Sequence, residues 1–183
     1  AQTGDFEWNS PSFINGNLGY VALTTRNAGL VGDVRVNTNT TLGIGNNFAL
    51  GNGRLILNGG FVRSDIGNNN FITTNITMNN NVVLQGDFNT NVGALVLLGN
   101  VAMSDVVSAG ATRVWNMAGG DVAVRGVISG AEGSNLIKRG QSFLTLSGEN
   151  TYQGYTQIDR GTVVVAGNVL PGVAGPLGNS TSP

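Results

Sequence analysis

Glycine and asparagine supply 54 of the 183 residues (29 and 25 respectively), and this load constrains the fold more than any other feature. Glycine costs roughly 1 kcal/mol per helix position relative to alanine. Asparagine competes with the helix by bonding its own backbone in turns and caps. Both tolerate positive φ, so they suit a chain that turns often and tightly. The apolar remainder is rich in Val and Ile, whose branched Cβ favours strands. The chain therefore reads as all-β.

Apolar runs recur between Asn-Gly, Gly-Asn and Asn-Asn-Asn punctuation: 33–36, 54–57, 71–78, 82–88, 94–98, 112–115, 121–125, 143–146 and 162–165. Such spacing fits either an antiparallel β-sandwich or a solenoid. Self-similarity favours the solenoid. Leu55-Ile-Leu-Asn-Gly59, Leu97-Leu-Gly-Asn100 and Leu144-Thr-Leu-Ser-Gly148 all end a short apolar strand in small turn residues. The expected fold is a parallel β-helix of roughly 20 residues per coil, about seven coils and a rod on the order of 30 Å long. Asparagines at equivalent turns would then stack their amides into ladders, although isolated left-handed turn positions would also use many of them. The expected organisation is an aromatic N-terminal cap over residues 1–30 (Phe6, Trp8, Phe13, Tyr20), a β-helix over 31–168, and a linker or junction over 169–183 that carries three of the four prolines.

The most informative segment is 127–168. Leu136, Lys138 and Gly140 are followed by Leu144, Leu146, Gly148, Asn150, Tyr152 and Gly154, then by Thr156, Ile158 and Gly161. This order resembles the autotransporter-associated β-strand repeat, also called the passenger-associated transport repeat, with departures at Ser142, Tyr155 and Val163. Residues 174–180 are similar to what often follows it. The upstream hundred residues share only composition and rhythm. The resemblance implies a right-handed single-stranded β-helix on the outside of a bacterial cell, in a family linked to passenger translocation and folding and including adhesins and surface stalks. An Ala1-Gln2-Thr3 start is compatible with signal-peptide removal, which favours export. No stretch of these residues has the length and alternation of an outer-membrane barrel.

Chemistry is sparse. One lysine, no His and no Cys leave no disulfide, no thiolate or imidazole metal site and no ordinary triad. No cofactor is expected. A net charge of −1 gives no footprint for nucleic acid or an anionic membrane. Lys138 would have to serve as any base, but it occupies a position of the repeat pattern, so a structural role is expected. Asp65, Asp87, Asp105 and Asp121 follow one another at 22, 18 and 16 residues, close to a coil period. Stacked near Arg54, Arg63, Arg113 or Arg125, they would resemble the acidic groove of an enzyme acting on acidic polysaccharide; turn capping is the favoured reading. Trp115, Tyr152 and Tyr155 would make a sugar-stacking strip if exposed. Sequons at Asn39, Asn75 and Asn179 are expected by chance in so Asn-rich a chain.

The resulting expectation is a non-catalytic extracellular module, structural or adhesive, with Leu136, Leu144, Leu146, Ile158 and Val163 inside the coil. Expected partners are further copies end to end, further repeats, or a host or matrix surface. An enzyme on acidic polysaccharide is the alternative.

Overall fold

The computed structural model describes residues 6–8, 19–87, 93–104 and 110–179. They form a β-solenoid of about six turns, in which every strand pair is parallel. No helix occurs among the described residues.

The coils lay their strands on three sheets, of six, seven and five strands. The first stacks Phe6–Trp8, Val34–Asn37, Leu55–Asn58, Ile76–Met78, Val101–Ala102 and Ile128–Ser129. The second stacks Gly19–Leu23, Thr40–Ile44, Phe61–Ser64, Val82–Asp87, Thr112–Gly119, Asn135–Arg139 and Thr156–Ile158. The third stacks Asn70–Ile72, Leu95–Leu97, Val122–Val124, Phe143–Leu146 and Thr162–Val165. Paired positions in the first sheet are Val34, Leu55, Ile76, Val101 and Ile128, so coils advance by 21, 21, 25 and 27 residues.

Strands alternate side chains in and out, and the inward set forms columns along the axis. Val34, Leu55, Ile76, Val101 and Ile128 make one such column, all buried. Ile72, Leu97, Val124 and Leu146 make another, also buried. Each buried Leu or Ile contributes roughly 2–3 kcal/mol through removal from water. The run 71–78, read in sequence as one strand, is two. Asn70–Ile72 belongs to the third sheet and Ile76–Met78 to the first. Between them the chain turns a corner at Thr73, Thr74 and Asn75, passing from the third sheet to the first.

Asparagine holds the corners in two ways. Asn58 Nδ2 donates to Asn37 Oδ1 at 2.8 Å, and Asn79 Nδ2 donates to Asn58 Oδ1 at 3.1 Å. This amide ladder crosses three coils. Elsewhere one Asn oxygen accepts a backbone N–H of the following coil. Asn47 takes Phe71 (3.0 Å), Asn69 takes Ala94 (2.9 Å), Asn75 takes Asn100 (3.0 Å), Asn100 takes Val127 (3.0 Å), Asn81 takes Val114 (2.7 Å) and Asn135 takes Tyr155 (3.0 Å). These amides pair N–H groups that the sheets leave without a partner, at the corners and, for Phe71 and Val114, within a strand.

The segment 1–30 contributes two strands to the stack, Phe6–Trp8 and Gly19–Leu23; Phe13 lies outside the described residues. At the other end, the described part of 169–183 folds back. Residues 174–179 lie against the last coil through an antiparallel bridge between Asn150 and Gly175, and Asn179 N donates to Tyr152 O at 2.8 Å. Leu177 packs on the core.

Candidate functional site

The residues singled out in 136–165 occupy the last two coils, and almost every one touches a neighbouring coil. Leu136, Leu144 and Leu146 are fully buried. Gly140 (φ +79°) turns the corner between the second and third sheets, where a Cβ would strike the Met117 carbonyl one coil earlier. Gly154 lies so close to the Asn135 side chain and the Ser134 carbonyl that no Cβ fits. These glycines are required by close approach of one coil to the next.

Asn150 is fully buried and spans three layers. Its Oδ1 accepts the Ile128 N–H at 2.7 Å, and its Nδ2 donates to the Pro176 carbonyl at 2.8 Å. Its own N–H donates to Gly175 O at 3.0 Å. Tyr152 is buried beside it, its hydroxyl shared with Thr156 Oγ1. Gly178 packs closely against the ring.

Lys138 is wholly buried (0 % exposed). It stands in the inward column Trp115, Lys138, Ile158. Its Nζ donates to three carbonyls: Gly140 at 2.6 Å, Arg160 at 3.0 Å and Arg139 at 3.2 Å. Burial draws its pKa down, and the Asp121 carboxylate opposes that shift.

The passenger-associated-transport-repeat family model matches residues 136–165. This segment is similar to the passenger-associated transport repeat. The match covers about a sixth of the chain, and searches of curated proteins and of solved structures return no significant match. Repeat and parallel solenoid together fit a β-helix of the autotransporter passenger type.

Within the repeat, two inward positions differ from expectation. Ile158 is 52 % exposed and Val163 only partly buried. Both face inward by register, above Lys138 and Leu144. Burial of an inward side chain also needs a coil on its far side, and none covers this face among the described residues. Val165, above Leu146, is 40 % exposed for the same reason.

The acidic series does not converge. Asp65 and Asp121 both lie at the corner between the second and third sheets, as the spacing implied. Their carboxylates have separate partners. Asp65 receives Arg63 Nε at 2.8 Å and the Tyr20 hydroxyl, whereas Asp121 Oδ1 receives the Phe143 N–H at 3.1 Å. Asp105 and the Asp87 side chain lie outside the described residues. Among the described residues no three acidic side chains gather as a metal site would require. Of the other candidates, Arg54 pairs with Asp33 at 2.7 Å, which holds that carboxyl below the usual range, and Arg113 Nε donates to Met78 O at 2.6 Å. The aromatic strip does not form: Trp115 and Tyr152 are buried and Tyr155 alone is exposed. A cavity of about 330 Å³ beneath the folded-back tail, between Ser147 and Pro176, carries Glu149 as its one titratable side chain. One carboxylate without a second lacks the pair that glycosidic acid–base work uses.

Two arrangements escaped the sequence reading. Arg139 Nε pairs with Asp159 at 2.8 Å across twenty residues, a coil-length separation that would have been a signal. Tyr20 reaches over Gly43 to Asp65, with the Arg63 guanidinium 4.5 Å above its ring. That cluster spans three coils, and only the absence of a side chain at Gly43 allows it.

Burial pushes the Tyr152 phenol up to about 12 from an ordinary 10. An unfolded chain ionises that tyrosine first, so stability is intact below pH 10 and falls as pH rises from 10 to 12, by about 3 kcal/mol in all. Denaturant titrations across this range should show a steeper fall in the wild type than in Tyr152→Phe. Parallel curves for the two proteins would show Tyr152 to be solvated.

Proposed function

We propose that this chain is a non-catalytic segment of an exported bacterial passenger, a stiff β-helical module that holds its outward surface away from the cell. One observation carries the reading. The chemistry-bearing side chains of the repeat (Lys138, Asn150 and Tyr152) are spent on contacts between coils instead of lining a cleft. A rod needs that arrangement and an active site does not. The low charge and the exposed inward residues Ile158 and Val165 support a second element, end-to-end association through the last described coil. Free sheet edges template further strands, and contacts of this kind that do not close produce filaments or stalks. Adhesion to a host or matrix surface would use the outward faces.

The test joins the chain to an outer-membrane translocator in a Gram-negative host and asks whether externally added protease and antibody reach it on intact cells. Surface display of a protease-resistant β-rich core is the expected result. Retention inside the cell in a folded state would overturn the passenger reading. Electron microscopy and sedimentation of the purified chain test the second element: end-to-end oligomers are expected, and a monomer at high concentration would refute self-association. Turnover of an acidic polysaccharide, lost in Asp65→Asn or Asp121→Asn, would instead support the enzyme.

A further inference from the structure

The carbonyls of Arg139, Gly140 and Arg160 meet at one point inside the corner between the second and third sheets. Two belong to one coil and the third to the coil above it. Gly140 and Arg160 lie outside the strands, and among the described residues no backbone N–H donates to their carbonyls. These carbonyls face a side chain that is itself 0 % exposed, and outside a sheet ladder they need another donor. A primary ammonium offers three N–H groups and no acceptor, and Lys138 Nζ meets these three oxygens at 3.2, 2.6 and 3.0 Å. Both glycines of this corner, Gly140 and Gly161, have φ of +79°. A Cβ at Gly161 would collide with the Gly140 carbonyl and crowd Lys138 Nζ, so the backbone itself shapes the cage.

We propose that this corner is a primary-ammonium site, built from backbone carbonyls of two successive coils and filled from within by Lys138, and that this cation keeps the last coil docked. Coil-to-coil pairing here is short: the second sheet joins only Leu136–Lys138 to Thr156–Ile158. The bond to Arg160 O adds a link past the end of that ladder, where Asp159 N already donates to Lys138 O at 2.9 Å. Shape alone does not supply this link. A methionine fills the same column but leaves the Gly140 and Arg160 carbonyls without their donor, whereas an arginine brings a planar head too wide for the cage.

The experiment measures thermal melting of the wild type, Lys138→Met and Lys138→Ala, with and without n-propylammonium or n-propanol. Both variants should melt about 5–10 °C lower, given charge-assisted bonds and a chain of this size. Propylammonium should restore part of the loss in Lys138→Ala, and propanol should not. Wild-type melting of Lys138→Met, or equal rescue by the alcohol, would overturn the proposal in favour of simple filling of space. Amine acylation of the wild type supplies a reading that does not depend on a folded variant, because Lys138 is the one lysine of the chain. Labelling there should be at least tenfold slower than at a free lysine side chain, and Gly161→Ala should speed it. Labelling as fast as free lysine in the folded wild type would refute the cage.

Discussion

Leu146→Asp is expected to unfold the C-terminal coils at room temperature. Leu146 is 0 % exposed and sits between Val124 and Val165 in an inward column. Removing the leucine forfeits about 3 kcal/mol of burial, and a carboxylate in that dry channel finds no donor and no counter-charge. The combined loss is about 5 kcal/mol, among the largest a single substitution produces. In a stack where each coil contacts only its neighbours, damage stays local. Circular dichroism should therefore show part of the β signal already lost at room temperature, and heating should then give a transition close to the wild-type melt. Thr145→Asp, one position along and facing outward, serves as the control and should change stability by about 0.5 kcal/mol or less. Similar melts for the two variants would place the inward register at the wrong residue.

Asn150→Leu should destabilise the protein by about 2–4 kcal/mol in denaturant titration. The substitution keeps the bulk but strips the Ile128 N–H of its acceptor and the Pro176 carbonyl of its donor, both in a buried setting. Each orphaned group costs about 1–3 kcal/mol. Asn150→Asp separates the two halves of the effect: it retains the acceptor for Ile128 and sets a carboxylate against the Pro176 carbonyl. Residues 174–179 should then become the first site of proteolysis in both variants, because their hold on the last coil runs through Asn150 and Tyr152. Unchanged proteolysis of that segment would mean that the tail is anchored elsewhere.

The strands legible in sequence were those of continuous apolar character, such as Arg54-Leu-Ile-Leu57 and Ala94-Leu-Val-Leu-Leu98, because inward positions in a narrow channel admit little but Leu, Ile and Val. The second sheet was harder. Thr40–Ile44 and Phe61–Ser64 mix Thr, Gly, Arg and Ser with single apolar residues, and their outward positions serve the Tyr20–Arg63–Asp65 cluster. The ladder of Asn37, Asn58 and Asn79 could be anticipated from composition because its spacing equals the coil. The cage around Lys138 could not: one of its walls is the Arg160 carbonyl, 22 residues away, and a backbone atom leaves no mark in the side-chain pattern. Ile158 shows the opposite limit. Its facing direction was readable, but its burial depends on what lies beyond it.

The parallel three-sheet stack also determines how this chain responds to tension. Hydrogen bonds between coils run along the solenoid axis, so a pull on the two ends loads them in their own direction, one coil at a time. A freed coil of 21 residues, such as that from Val34 to Leu55, releases about 70 Å of extended chain at roughly 3.3–3.6 Å per residue. The rod therefore yields in steps under modest force, with Asn amides and the Lys138 ammonium setting the height of individual steps. A tether made of such coils lengthens many times over before any covalent bond is strained, and each coil that re-docks shortens it again.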